Sequence, residues 1–233
     1  MAYGPAAASS LDADKVKIGL FTLVVGQEYR GSVSPGLRTK RAYCGRHGYD
    51  YLEVIEHALA QGAELPVSWF KLSFLGDILR KGTHDVVFCS DADVCITNPA
   101  ICLETIIQEH FPPVKDFLFC RQAVWAPRVN AGNFFVRNTA WSRRFLETWF
   151  QQGKRYESAN REFWEQDYIN DVCDGPGAGD IRDHIEVIGD QRVFNSFHLN
   201  WMAGDFLVHF PTLRGEVLRE AMQMWGDDAM RSE

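Results

Sequence analysis

Asp85-Val-Val-Phe-Cys-Ser-Asp-Ala-Asp-Val-Cys-Ile-Thr-Asn-Pro99 is the stretch on which the fold turns. Its apolar run, Val86 to Cys89, has the length and composition of a buried strand, and it stops abruptly at Ser90-Asp91-Ala92-Asp93. Two carboxylates separated by one residue, at the carboxyl end of a buried strand, occupy the place where open α/β sheets bind ligands. Hard oxygen donors there suit Mg²⁺ or Mn²⁺, and such an ion can clamp a nucleotide's phosphates. A lone D-x-D is more often a strand end running into a solvated turn, so the rest of the chain has to decide.

On either side of this stretch, strand-like and helix-like segments alternate. Lys17 to Val25 reads as a strand ending at Gly26, and Ser34-Pro35 as the opening of a helix that closes at His47-Gly48. Tyr51 to Ile55 is a second strand. Ser68 caps a helix with Trp69, Leu72, Leu75, Ile78 and Leu79 at helical spacing, ended by Gly82. Asn98-Pro99 is expected to start a helix reaching Glu109. Further strands fall at Phe117 to Cys120, Asn133 to Val136 and Phe206 to Phe210, and further helices at Ala140 to Gln152, Glu162 to Cys173 and on to Trp225. Such alternation predicts an α/β fold with a mainly parallel sheet covered on both faces. No linker divides the chain, so residues 16–233 are expected to form one domain behind a flexible lead, 1–15.

With 233 residues, 46% of them hydrophobic, the chain can bury a substantial core. A net charge of −7 argues against nucleic acid as partner. No apolar run reaches the roughly 20 residues of a membrane span, and the first residues lack the pattern of a secretory signal. The six cysteines show no C-x-x-C spacing and several lie in apolar runs, which implies buried free thiols and a reducing compartment.

Other clusters accompany the D-x-D. Two carboxylates cannot fill an octahedral shell, and His209, at a strand end before Pro211, is a candidate for a further ligand. Asn130-Ala-Gly-Asn133 sets amide side chains beside a glycine just ahead of a strand, suited to close approach and hydrogen bonds to hydroxyls. In Phe163-Trp-Glu-Gln-Asp-Tyr168, consecutive polar groups on a helix cannot all face one way. One or two of Glu165, Gln166 and Asp167 are expected in a cleft and the rest in water. Lys71, near a helix start with Trp69, and Arg214, just after His209, are cations that can meet a diphosphate.

Taken in order, VKIGLFTLVVG, TKRAYCGRHGYDYLEV, SWFKLSFL, VVFCSDADVCITNP, NAGNFFVRNTAWSRRFLETW, WEQDYIN and FLVHFP resemble the galactosyl/xylosyl glycosyltransferase family, from about Val16 to Arg214. That family includes yeast α-galactosyl- and mannosyltransferase subunits and plant xyloglucan xylosyltransferases. The resemblance implies the GT-A fold, a Rossmann-like nucleotide-binding domain with a mixed sheet. It also implies Mn²⁺ (with Mg²⁺ as the substitute), a UDP-sugar donor, a carbohydrate or glycoprotein acceptor, and retention at the anomeric carbon. Asp91, Asp93 and His209 then hold the metal. Asn130, Gly132 and Asn133 hold the donor sugar, with Thr22, Gly26, Tyr29, Lys71, Asp91 and Arg214 around the rest of the donor. Gln166, with Glu165 and Asp167 beside it, sits at the reacting carbon.

The chain departs from the family in three places. Phe210-Pro-Thr-Leu-Arg214 replaces a glycine and a lysine that grips the diphosphate, so either Arg214 takes over or the grip is lost. Ala131 and Asn133 stand for a threonine and a serine, which leaves the sugar open among galactose, glucose and xylose. No amino-terminal anchor is seen, which implies a cytoplasmic protein, or a Golgi-lumenal one cut back from its anchor. Two rivals remain: a sugar-nucleotide nucleotidyltransferase, against which the glycine-poor Gly26-Gln-Glu-Tyr-Arg30 counts, and a degenerate glycan-binding module, against which the intact Asp91, Asp93 and His209 count.

Overall fold

The structure, a computed structural model, describes residues 16–57, 64–124, 128–159, 161–175 and 179–231. The expected lead, 1–15, lies outside the described residues. In chain order the elements are β1 (Ile18–Val25), α1 (Gln27–His47), β2 (Asp50–Glu56), α2 (Val67–Arg80), β3 (Val86–Ser90), β4 (Val94–Ile96), α3 (Leu103–His110), β5 (Phe117–Arg121), β6 (Val129–Arg137), α4 (Ala140–Gln151), α5 (Gly153–Ser158), α6 (Glu165–Asp174), β7 (Ile185–Ile188), β8 (Leu207–His209) and α7 (Gly215–Arg231).

Six strands form the central sheet in the order β2-β1-β3-β6-β5-β7, with β4 and β8 as a separate two-stranded ribbon. β1 runs parallel to β2 and β3, β5 runs parallel to β7, and β6 is antiparallel to both its neighbours. This is the mixed, mainly parallel sheet that the alternation predicts. Along β3, Val87 and Cys89 point into a core closed by α2, α4 and α6 through Leu72, Trp149 and Ile169. Val86 and Phe88 point into the opposite core, with Tyr43 of α1, Leu103 of α3 and Phe206. Burial on both faces explains why this strand is continuously apolar. All six cysteines are free thiols.

Several element boundaries differ from the sequence reading, two helix starts by the most. α1 starts at Gln27, not at Ser34, and carries Pro35 inside it. The chain breaks at Gly26, whose φ of 88° suits glycine, so the helix follows β1 directly and the proline marks no boundary. α3 begins at Leu103, not at Asn98. The Asn98 side chain instead accepts from the Ala100 N–H at 3.2 Å, closing a local turn that competes with the helix.

β6 is where the fold bends to serve a site. It starts at Val129, so Asn130 to Asn133 lie within the strand and not ahead of it. Between its pairings Leu118 with Phe135 and Cys120 with Asn130, the β5–β6 register slips. The irregular segment pushes Ala131, Gly132 and Asn133 towards β3, where Asn133 pairs with Ser90 and the Asp91 N–H donates to the Gly132 carbonyl at 2.8 Å.

Candidate active site

Asp91 and Asp93 leave the carboxyl end of β3, beside the carboxyl end of parallel β1. His209 reaches them through the small ribbon: β4 follows Asp93 at once, β8 pairs with it antiparallel, and Val94 sits opposite His209. The Phe210 N–H donates to the Asp93 carbonyl at 3.0 Å, so the two ligand candidates are tied backbone to backbone. One ligand atom from each of Asp91, Asp93 and His209 lies within 4.8 Å of the others, and His209 Nε2 is 3.4 Å from Asp93 Oδ1. Two carboxylates and one imidazole form a donor set suited to a hard or borderline divalent ion such as Mn²⁺.

Glycine makes this convergence sterically feasible. A Cβ on Gly132 would lie 2.5 Å from His209 Cε1, 2.9 Å from Asp91 Oδ2 and 3.0 Å from Asn130 Oδ1. The close approach expected of this glycine is therefore towards the candidate ligand side chains themselves.

Charge in the site is balanced locally. Burial pushes the Asp91 carboxyl up, against the pull of the Lys71 ammonium. Burial also opposes ionisation of Asp93, but His209 beside it, its own backbone N–H and the Lys40 ammonium together outweigh this and hold Asp93 below the usual carboxylate value. Lys71 is not solvated. It is buried, with its Nζ 3.0 Å from Asp91 Oδ1, 2.8 Å from Glu165 Oε1 and 2.8 Å from the Ala131 carbonyl. Burial alone would lower its pKa; Asp91 and Glu165 raise it instead, so it stays charged. Trp69, on the same helix, is a core residue whose Nε1 donates to Glu157.

The Glu165–Asp167 run differs from its expected division between cleft and water, because all three side chains are buried. The backbone turns at Trp164, whose φ of 50° makes it the only positive-φ non-glycine among the described residues. The three then point in different inward directions. Glu165 faces Lys71, and its Oε2 is buried without a partner. Gln166 Oε1 accepts from Asn130 Nδ2 at 2.9 Å and from the Ala131 N–H at 3.1 Å. Asp167 accepts from the Phe163 N–H at 2.9 Å and faces Arg128 and Arg161 at 3.5 and 3.7 Å, a set of contacts that closes the helix start. Asn170, one turn on, clips α6 to β6 through both the N–H and the carbonyl of Val129.

Thr22 is buried within β1, and its hydroxyl donates to the Ser90 carbonyl at 3.0 Å. The Gly26 N–H donates to the Glu56 carbonyl at 3.1 Å. Tyr29 is half-buried; burial raises its phenol well above its ordinary pKa, reinforced by the Asp93 and Asp91 charges and opposed by Arg214. Arg214 itself is exposed and donates to the Pro211 and Leu213 carbonyls.

The sequence reading missed two polar residues. Lys40 of α1 is fully buried beneath the D-x-D turn, donating to the Asp91 carbonyl and, at 3.3 Å, to Thr22 Oγ1. Burial pulls its ammonium down to about 8, with Asp93 and Asp91 pulling it back up. Its place on the stripe Val33, Leu37, Lys40, Cys44 was the available sign, since those neighbours are all buried. The other is Asn195, also fully buried, whose Oδ1 is 2.9 Å from His209 Nδ1 and accepts from Asn133 Nδ2 at 2.7 Å. Its Nδ2 donates to Asn130 Oδ1 at 2.7 Å.

A mixed sheet with a carboxylate pair at the end of β3 defines a GT-A-type nucleotide-diphospho-sugar transferase fold, and comparison with known proteins agrees. The chain is similar to the galactosyl transferase GMA12/MNN10 family, whose model matches residues 115–213. Among solved structures it resembles a glycosyltransferase involved in the glycosylation of the major capsid of PBCV-1, with 16% identity and a TM-score of 0.70 over 89% of this chain and 99% of that one. It also resembles the glycosyltransferase GlyE of Streptococcus pneumoniae, with 14% identity and a TM-score of 0.59 over 91% of this chain and 60% of that one. No curated protein matches its sequence. The resemblance noted in the sequence is thus borne out, and family match and fold together support glycosyl transfer as the class of activity. Among the described residues no helix is long and apolar enough to cross a membrane.

Proposed function

We propose that this protein is a metal-dependent, retaining glycosyltransferase that moves a hexose or pentose, with galactose, glucose and xylose as candidates, from a UDP-sugar to a hydroxyl of a carbohydrate or glycoprotein acceptor. The observation that carries this reading is the convergence of Asp91, Asp93 and His209 ligand atoms within 4.8 Å at the carboxyl end of the sheet. Mn²⁺, or Mg²⁺ in its place, would supply Lewis-acid neutralisation of the departing diphosphate.

The chain's own residues do the remainder. Gly132 leaves the space in which the ligand side chains meet. Lys71 holds Asp91 and Glu165, so its charge is already committed, and Arg214 is the exposed cation left for the diphosphate. Gln166 spends its oxygen on Ala131 and Asn130, and its Nε2 is left to donate to the sugar. An amide is a poor nucleophile, which favours attack on the same face as departure, the leaving phosphate taking the acceptor's proton. Asp167 is committed to the Phe163 N–H and two arginines, whereas Glu165 keeps one unpartnered buried oxygen. Glu165 is therefore the carboxylate we assign to orienting the acceptor hydroxyl.

The test is a thermal-shift panel of nucleotide sugars with and without Mn²⁺, since a ligand that binds only the native state raises the melting temperature. At least one UDP-sugar should raise it in the presence of Mn²⁺ and not in its absence. A panel without any metal-dependent shift would remove the donor reading.

A further inference from the structure

Two backbone N–H groups determine the orientation of every polar side chain between the candidate metal ligand His209 and Gln166. The Gly132 N–H lies 2.9 Å from one end of the Asn130 side chain, and the Ala131 N–H lies 3.1 Å from one end of Gln166. A backbone N–H can only donate, so both of those ends are oxygens. The other end of Asn130 is then its NH₂, which donates to Gln166 Oε1 at 2.9 Å. The Asn195 atom 2.7 Å from Asn130 Oδ1 must likewise be NH₂. That leaves the Asn195 oxygen facing His209 Nδ1 at 2.9 Å, with Asn133 Nδ2 as its second donor. An oxygen in that position requires the proton of the neutral ring to be on Nδ1.

We infer that Asn195 is a positioning residue serving both halves of the site: it fixes His209 as the Nδ1–H tautomer, so that Nε2 presents its lone pair beside Asp93, and through Asn130 it orients the Gln166 amide with its NH₂ free. The hydrogen bonds all run in one direction, from the His209 ring to the Gln166 oxygen. Metal-ligating histidines are characteristically held in this way through the nitrogen that does not bind, and loss of the holding group typically costs 10–100-fold in metal affinity. Asn195 is itself held by its backbone: its N–H donates to the Gln191 carbonyl at 2.7 Å, and its carbonyl accepts from Gln191 Nε2 at 3.2 Å. Substituting its side chain therefore leaves these backbone anchors in place.

The inference rests on the proposed transferase reading for the metal at His209 and for what Gln166 does, and its first test needs neither metal, donor nor turnover. Long-range ¹H–¹⁵N correlation on metal-free, histidine-labelled protein in alkaline buffer reads the tautomer directly. The expected result is a His209 ring protonated at Nδ1 and bare at Nε2, with this single tautomer lost in Asn195→Leu. A wild-type ring protonated at Nε2 would overturn the assignment, whether or not the protein transfers sugar. In a second measurement Mn²⁺ alone is titrated into each protein and followed by electron paramagnetic resonance. Asn195→Leu should bind at least about tenfold more weakly. Asn195→Asp can still accept from His209 but cannot donate to Asn130; it should keep near-normal Mn²⁺ affinity while transfer slows about a hundredfold, as misplaced catalytic groups do. Equal Mn²⁺ affinity in all three proteins, or a normal rate in Asn195→Asp, would overturn the inference.

Discussion

Lys71 Nζ lies 2.8 Å from Glu165 Oε1, and both side chains are at least nine-tenths buried. The pair joins α2 to the start of α6 and sets Asp91 on the same ammonium. Such a pair costs much to break, because the surviving charge has no water to return to.

Lys71→Met should therefore destabilise the protein by about 3–5 kcal/mol, leaving Glu165 and Asp91 uncompensated. Lys71→Met combined with Glu165→Gln should recover part of that loss. Chemical denaturation of the four proteins in a double-mutant cycle measures the coupling. Losses that simply add would show that the two residues do not act as a pair.

Gly132→Ala sets a methyl group against His209, Asp91 and Asn130 at once. Overpacking of this kind costs about 1–3 kcal/mol in stability. The larger effect should be on the metal, with Mn²⁺ affinity falling by about tenfold or more because the ligands must part. Calorimetric titration beside a thermal melt separates the two effects. A variant that binds Mn²⁺ normally would show that the three side chains need not converge at this glycine.

Asp205 should set the acid stability of the loop that carries Asn195. Its carboxylate accepts from Arg192, Ser196 and the Met202 N–H. Burial raises its pKa, but the Arg192, Met202 and Ser196 bonds outweigh that and leave it below the ordinary 3.8. The contribution of a carboxylate with a depressed folded pKa is complete above the unfolded value and disappears as pH falls through the folded one. Arg192→Met should lower stability near neutral pH, and only modestly, because the cation is half-exposed and screened by water. The gap between variant and wild-type melting temperatures should close as the pH drops through the carboxyl's titration. A gap that stays constant with pH would mean that Arg192 acts through packing.

Much of this architecture could be read from the chain because its signals are local. β3 is buried on both faces, so it appears as an unbroken apolar run ending in carboxylates. α2 and α4 keep apolar residues at helical spacing against one face of the sheet. What escaped the reading depends on contacts distant in sequence. β4 is three residues long and exists because β8 pairs with it. Asn195 lies in irregular chain held by Gln191 and by the bridge between Phe197 and His209, and no periodicity marks it. The burial of Glu165, Gln166 and Asp167 together depends on the sharp turn at Trp164, which a count of helical faces does not anticipate.

The central claim, metal-dependent sugar transfer at Asp91, Asp93 and His209, is tested most directly by UDP release from UDP-sugars with Mn²⁺, in wild type and in Asp93→Asn. Wild type should release UDP with Mn²⁺ and lose that activity after chelation. Asp93→Asn should release at least about a hundredfold less, a loss of about 2.7 kcal/mol in transition-state stabilisation, while its circular dichroism still shows the native fold. UDP release by Asp93→Asn, or by chelated wild type, at the rate of the Mn²⁺-loaded enzyme would contradict the account.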